Sequence, residues 1–166
     1  MLPIVSIVGK SESGKTVLIE RLIREFKRRG YKIASLKHSP GGMEVDRPGK
    51  DSWRFAQAGS DAVLVSSPDR LAFIKKLDQE LNIEEILQVI GDEFDLVLVE
   101  GFRKSKIPKI GVHKKGLGDE LWSFPEGVSA IVTDEPLDTN IPQLPRDDAV
   151  AVADFIEKNF VTKRIG

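Results

Sequence analysis

Gly9, Gly14, Lys15 and Thr16 stand in the stretch GKSESGKT, whose G-x-x-x-x-G-K-[ST] spacing suits a loop that holds the phosphates of a nucleotide. Glycines at the first and sixth positions let the backbone turn so that consecutive amides face inward, and the positive end of a following helix strengthens their hold on an anion. In that geometry Lys15 neutralises β- and γ-phosphate oxygens, and Thr16 offers its hydroxyl to Mg²⁺. The candidate nucleotide-binding segment therefore runs through Gly9, Lys10, Ser11, Glu12, Ser13, Gly14, Lys15, Thr16 and Val17. Lys10 taken alone reads as a solvated lysine.

A hard cation at the phosphates calls for an acidic group at the end of a neighbouring strand. Glu100 fills that place: it closes the apolar run LVLVE and is followed by Gly101. Asp46, in the long loop after the second strand, either orients an attacking water or is a solvated loop carboxylate. Lys15, Asp46 and Glu100 are thus the candidate catalytic set, and Thr16 with Glu100 the candidate metal pair. His38 ends the second strand on the same side, as a site residue or a packing one. Asp134, after the run AIVT, either accepts hydrogen bonds from a guanine edge or caps its own loop. No N-K-x-D sequence reads the base. Trp53 and Trp122 read as core or interface anchors, and Asp95, at the far end of the Glu100 strand, as structural. The basic residues Lys104, Lys106, Lys109, Lys114 and Lys115 suit either a ligand's phosphate, an acidic partner or plain solvent.

The elements that must position these residues follow from periodicity. A β-branched run at 4–8 reads as a strand. Residues 15–29 carry Val17, Leu18, Leu22, Ile23 and Phe26 on one helical stripe, with Gly30 as the stop. A second strand at 32–38 completes a βαβ unit and implies parallel pairing. Residues 39–50 hold two Pro and three Gly and read as loop. A short helix at 51–59, capped by Asp51 or Ser52, leads to a hairpin of 61–67 with 70–76. A helix at 78–91 precedes the most apolar strand, 94–101, expected at the sheet centre. Strands at 110–114 and 127–135, a Pro-rich connection at 136–145 and a helix from Asp147 or Asp148 to about Phe160 complete the chain. This order predicts an α/β three-layer sandwich, P-loop NTPase-like, with a mostly parallel sheet and an antiparallel hairpin.

With 166 residues, the chain has the length of one domain, residues 1–166. Its formal net charge of −1 gives no basic field for nucleic acid, and no apolar stretch reaches a membrane span. The absence of Cys excludes a disulfide framework and a thiolate metal site. The opening LPIVSIVG lacks a charged leader and runs straight into the phosphate loop, so a cytoplasmic protein is expected.

The blocks GKSESGKT, LKHS, DRPGKDSWRFAQAGSDAVLVSS, DLVLVEGFRKSKIPKI and AIVTD, in this order and spacing, resemble the molybdopterin-guanine dinucleotide biosynthesis protein B (MobB) family over about residues 3 to 135. The resemblance implies a GTP-binding adapter with weak GTPase activity and Mg²⁺ as its ion. Its implied partners are molybdopterin or its guanine dinucleotide form, a separate nucleotidyltransferase of the molybdenum cofactor, and a second copy of the chain in a homodimer. Family members often carry a second His shortly after the KH pair, whereas KHSPGG here has none. The same loop also serves small-molecule kinases that use ATP, but a kinase closes a lid with arginines. The only basic lid segment here, FRKSKIPK, contains Arg103 alone. No arginine or glutamine is placed by the sequence to activate water, which favours slow hydrolysis.

Overall fold

The computed structural model describes residues 2–43, 45–117 and 125–161, so Trp122 lies outside the described residues. In chain order the elements are β1 (Ile4–Gly9), α1 (Lys15–Arg28), β2 (Ile33–Lys37), α2 (Asp51–Gln57), β3 (Ala62–Ser66), β4 (Leu71–Lys75), α3 (Ile83–Ile90), β5 (Leu96–Glu100), β6 (Lys109–Val112), β7 (Val128–Thr133), β8 (Gln143–Pro145) and α4 (Ala149–Phe160). The chain divides into two compact units: Met1–His38 with Leu87–Gly166, and Ser39–Ile86.

The larger unit is built on a six-stranded sheet in the order β2-β5-β1-β6-β7-β8, and every pairing in it is parallel. Strands covered on both faces need continuous apolar runs. Accordingly Val5, Ile7, Leu96, Val97, Leu98, Val99, Ile110 and Ile131 are fully buried. β5 enters between β1 and β2, one place from the sheet edge and not at its centre, and its register sets Glu100 beside Ile7 and Lys37. Asp95 is structural as expected, since its carboxylate accepts the Lys32 amide at 2.7 Å.

The amphipathic helix α1 buries Leu18, Ile19, Leu22 and Phe26 in the core it shares with α4. Val17 departs from the expected stripe: it is half exposed, and Ile19 takes the buried position. A polar joint closes the α1–α4 contact. Arg29 donates to Glu25 at 2.7 Å and to Glu157 at 2.6 Å, and pairs with Asp154 at 2.7 Å. The Tyr31 hydroxyl adds a bond to Glu157. Asp148 caps α4 by accepting the Ala151 amide at 2.9 Å. The Pro-rich connection is not all loop, because it contributes the short edge strand β8.

In the smaller unit β3 and β4 form a separate antiparallel sheet, with Val63 opposite Ile74. Val63 points inward and is buried, while Leu64, Leu71 and Phe73 remain exposed. The N-cap of α2 is Lys50, with no side-chain cap; Asp51 instead lies in the first turn, where its charge favours the helix dipole. α3 is shorter than its periodicity suggests. Asn82 stops it through a reciprocal cap in which Asn82 Oδ1 accepts the Glu85 amide and Glu85 accepts the Asn82 amide.

Hydrogen bonds from Arg28 and Arg29 hold the Glu25 carboxyl down at about 2, from an ordinary 4.5. A lowered carboxylate stabilises the fold above its ordinary value and loses that contribution as pH falls toward its folded value. Arg29→Ala leaves three carboxylates facing one another and is expected to cost about 2 kcal/mol, or roughly 4–8 °C in Tm at neutral pH. The difference from wild type should shrink in thermal melts run from pH 4.5 toward 2.

Candidate functional site

The phosphate loop joins β1 to α1 at the carboxyl edge of the sheet. Its first glycine is required by close approach: a Cβ on Gly9 would lie 2.6 Å from the Val112 carbonyl oxygen and 2.8 Å from Ser13 Oγ. Gly14 is required by conformation, since it enters α1 with φ +95°, and the guanidinium of Arg146 lies against the place a Cβ would take. Glu12, at the loop's apex, takes a left-handed conformation without being glycine. Behind it the first amides of α1 have no carbonyl partner within the helix, the geometry that receives an anion.

Two polar groups inside the loop fit a phosphate guest. Ser13 is 1% exposed and its hydroxyl has no hydrogen-bond partner, an arrangement that costs about 1–3 kcal/mol while unsatisfied. The Lys15 amine folds over the loop and donates to the Lys10 carbonyl at 2.5 Å. Burial lowers its pKa, Glu100 opposes that shift, and the charges of Arg103 and Lys37 reinforce it. A cluster of cations that disfavour one another is a setting in which an added polyanion gains.

The metal pair is brought together. Thr16 Oγ1 donates to Glu100 Oε2 at 2.8 Å, linking residues 84 positions apart. A hydroxyl and a carboxylate oxygen are the hard donors that Mg²⁺ takes beside phosphate oxygens. The end of β5 is fixed by two bonds: the Ser6 hydroxyl donates to the Gly101 carbonyl, and the His38 amide donates to the Glu100 carbonyl at 2.9 Å. His38 also packs its ring on Phe102 with centroids 4.3 Å apart. Phe102 itself has φ +54°, a strained conformation next to the candidate ligand.

Asp46 belongs to the smaller unit, where its carboxylate accepts the Arg47 amide and it lines a cavity of about 250 Å³ with Trp53, Val63 and Ile74. Trp53 is half buried there, as an anchor would be. Lys10 is not simply solvated, because its amine donates to the Leu117 carbonyl at 3.0 Å. Nor is Lys109 part of a basic surface. It is 2% exposed, donates to the Ser105 and Ile107 carbonyls at 2.5 and 3.1 Å, and has its pKa lowered by burial.

Asp134 follows β7, and its Oδ1 accepts the Lys115 amide at 2.8 Å, which holds its carboxyl below the usual range. It also lines an open cleft of about 710 Å³ with Arg21, Thr133, Gln143, Arg146 and Asp147. Sequence reasoning missed Arg146, whose only signal is its place just after the Pro-rich stretch. It also missed the influence of Arg103 on Lys15.

Residues 4–134 match the MobB family, described as molybdopterin guanine dinucleotide synthesis protein B. The chain is 38% identical over 157 residues to the molybdopterin-guanine dinucleotide biosynthesis adapter protein of Haemophilus influenzae, covering 94% of this chain and 88% of that one. It is 32% identical over 161 residues to the adapter protein of the same description in Escherichia coli, covering 94% and 92%. Among solved structures, a crystal structure of molybdopterin-guanine biosynthesis protein B superposes with TM-score 0.77 at 35% identity over 93% of this chain and 97% of that one. Bacillus subtilis MobB superposes with TM-score 0.80 at 28% identity, over 98% and 100%.

The close approach at Gly9 has a measurable consequence. Gly9→Ala is expected to cost about 1–3 kcal/mol by forcing Val112 or the loop aside. Gly41→Ala, where a Cβ meets nothing within 4 Å, should leave Tm unchanged. Calorimetric melts of the two variants make the comparison.

Proposed function

Because the chain belongs to the MobB family, we propose that it is a GTP-binding adapter of molybdopterin-guanine dinucleotide biosynthesis, with slow GTPase activity. The observation that carries this reading is the contact of Thr16 with Glu100 beneath a loop already crossed by Lys15. That arrangement supplies a cation for β- and γ-phosphate oxygens and a hydroxyl–carboxylate pair for Mg²⁺, which adds charge neutralisation when bound. On nucleotide binding, the Lys15 amine exchanges the Lys10 carbonyl for phosphate oxygens, and Ser13 gains a partner. Glu100 keeps Thr16 oriented. A positioned water-activating group and an arginine finger are worth factors of roughly 10³ to 10⁵ in related sites. We read this chain as one that turns over slowly and serves as a nucleotide-controlled adapter for the separate nucleotidyltransferase that handles molybdopterin or its guanine dinucleotide form.

The adapter role also needs surfaces for other chains. Leu64, Leu71 and Phe73 lie 62%, 68% and 48% exposed on the hairpin of the smaller unit, more apolar surface than an isolated hairpin needs. We assign this face to the homodimer contact.

The first test is calorimetric titration with GTP and ATP in Mg²⁺, alongside phosphate release. Preference for GTP with turnover below about one per minute supports the reading, against the roughly 1–100 per second of kinases. ATP preference with phosphate passing to a metabolite overturns it. Lys15→Ala should abolish nucleotide binding with Tm near wild type. For the dimer, light scattering of the Leu71→Glu, Phe73→Glu double variant should give the monomer mass; an unchanged dimer mass would move the contact elsewhere.

A further inference from the structure

Beside the phosphate loop, the register aligns four strand ends. Gly9 pairs with Val112, Val112 with Val132, and Val132 with Leu144, so His113, Thr133 and Pro145 are the next residues along that edge. At about 4.8 Å per strand, the end of β7 stands roughly 10 Å from the end of β1. This is a distance that a nucleoside spans from its phosphates to its base. The space there is the 710 Å³ cleft, which holds both acidic and basic side chains: Arg21, Asp134, Glu135, Arg146 and Asp147.

Arg146 connects this cleft to the phosphate loop physically. Its backbone amide donates to the Thr133 carbonyl at 3.0 Å, which ties it to the residue before Asp134. Its Nη1 donates to the His113 carbonyl at 2.9 Å, and its guanidinium occupies the space beside Gly14. A smaller cavity of about 170 Å³, lined by Gly14, Val17, Leu18, Arg21 and Arg146, shares Arg21 and Arg146 with the cleft. His113 is itself held by Glu135, with Nε2 and Oε1 3.0 Å apart.

Resting on the nucleotide reading above, we propose that this cleft seats the purine ring of the nucleotide, with Asp134 accepting from the guanine edge and Arg146 as the positioning residue that couples base occupancy to the phosphate loop. Guanine presents two adjacent donors, N1–H and the 2-amino group, which a carboxylate accepts together. Adenine presents a bare ring nitrogen at the same edge, and two acceptors then face each other. The Lys115 amide holds the Asp134 carboxyl below its usual range and engages Oδ1, while a carboxylate has about four lone-pair sites in all. Asp134 thereby caps its loop and reads a base with the same group.

The test is calorimetric titration in Mg²⁺ of wild type, Asp134→Asn and Arg146→Ala with four probes: GTP, ATP, xanthosine triphosphate and inorganic tripolyphosphate. Asp134→Asn is expected to lose roughly 10- to 100-fold in GTP affinity relative to tripolyphosphate and to gain xanthosine triphosphate binding, because an amide donates where xanthine carries oxygen. Arg146→Ala should weaken GTP more than tripolyphosphate. Asp134→Asn is nearly isosteric, so a folding failure of Arg146→Ala leaves the base assignment open to refutation. If wild type prefers GTP and Asp134→Asn keeps that preference, this assignment fails while the adapter reading stands. If Arg146→Ala weakens both ligands equally, the coupling fails. If wild type binds neither GTP nor tripolyphosphate, the nucleotide reading fails and takes this one with it.

Discussion

A parallel sheet delivers the carboxyl ends of all its strands to one edge, and the arrangement of this protein's chemistry depends on which strand lies next to β1. Hydrogen bonding places β5 on one side of β1 and β6 on the other, although Ile4 pairs with Val97 and Ser6 with Lys109, far along the sequence. The first neighbour brings Glu100 to Thr16. The second begins the run of strand ends, β6, β7 and β8, that opens into the cleft around Asp134 and Arg146. One edge thus carries the glycine loop at its middle, the Thr16–Glu100 contact to one side and a polar cleft to the other.

The loop at that edge is held in a conformation that is costly by itself. It contains a left-handed Glu12, a buried hydroxyl without a partner on Ser13, and a lysine whose charge is opposed by burial and by neighbouring cations. None of these features stabilises the fold. They persist because β1 and α1, on either side of the loop, are anchored in the core by Val5, Ile7, Leu18, Leu22 and Phe26, and because Arg29 ties the far end of α1 to α4.

The smaller unit follows a different logic. It contributes little fully buried apolar surface of its own, and its two-stranded sheet is of a kind that is marginal alone in water. Large side chains left on its outer face are consistent with the assembly role that the adapter reading requires. Asp46 and Trp53 line the same cavity of this unit.

By itself, the sequence determined the elements and the loop. Periodicity located β1, α1, β2, the hairpin, β5, β7 and α4, and the spacing of Gly9, Gly14, Lys15 and Thr16 marked the glycine-dependent turn between β1 and α1, because helix stripes, strand alternation and glycine backbone geometry are properties of neighbouring residues. Asp148 was legible as a cap for the same reason. Where a position depends on distant contacts, the sequence misled: Val17 is exposed, Lys109 is buried beneath its own loop, Lys10 is bound to Leu117, and three residues of a Pro-rich connection pair as β8. Tertiary structure alone decided that Glu100 meets Thr16, that Arg103 and Lys37 bear on Lys15, and that Arg146 lies against Gly14. Such meetings are set by the order in which strands pair and by which side chains the resulting edge brings together. No local pattern encodes that order, because strand pairing is chosen by the burial of the whole sheet.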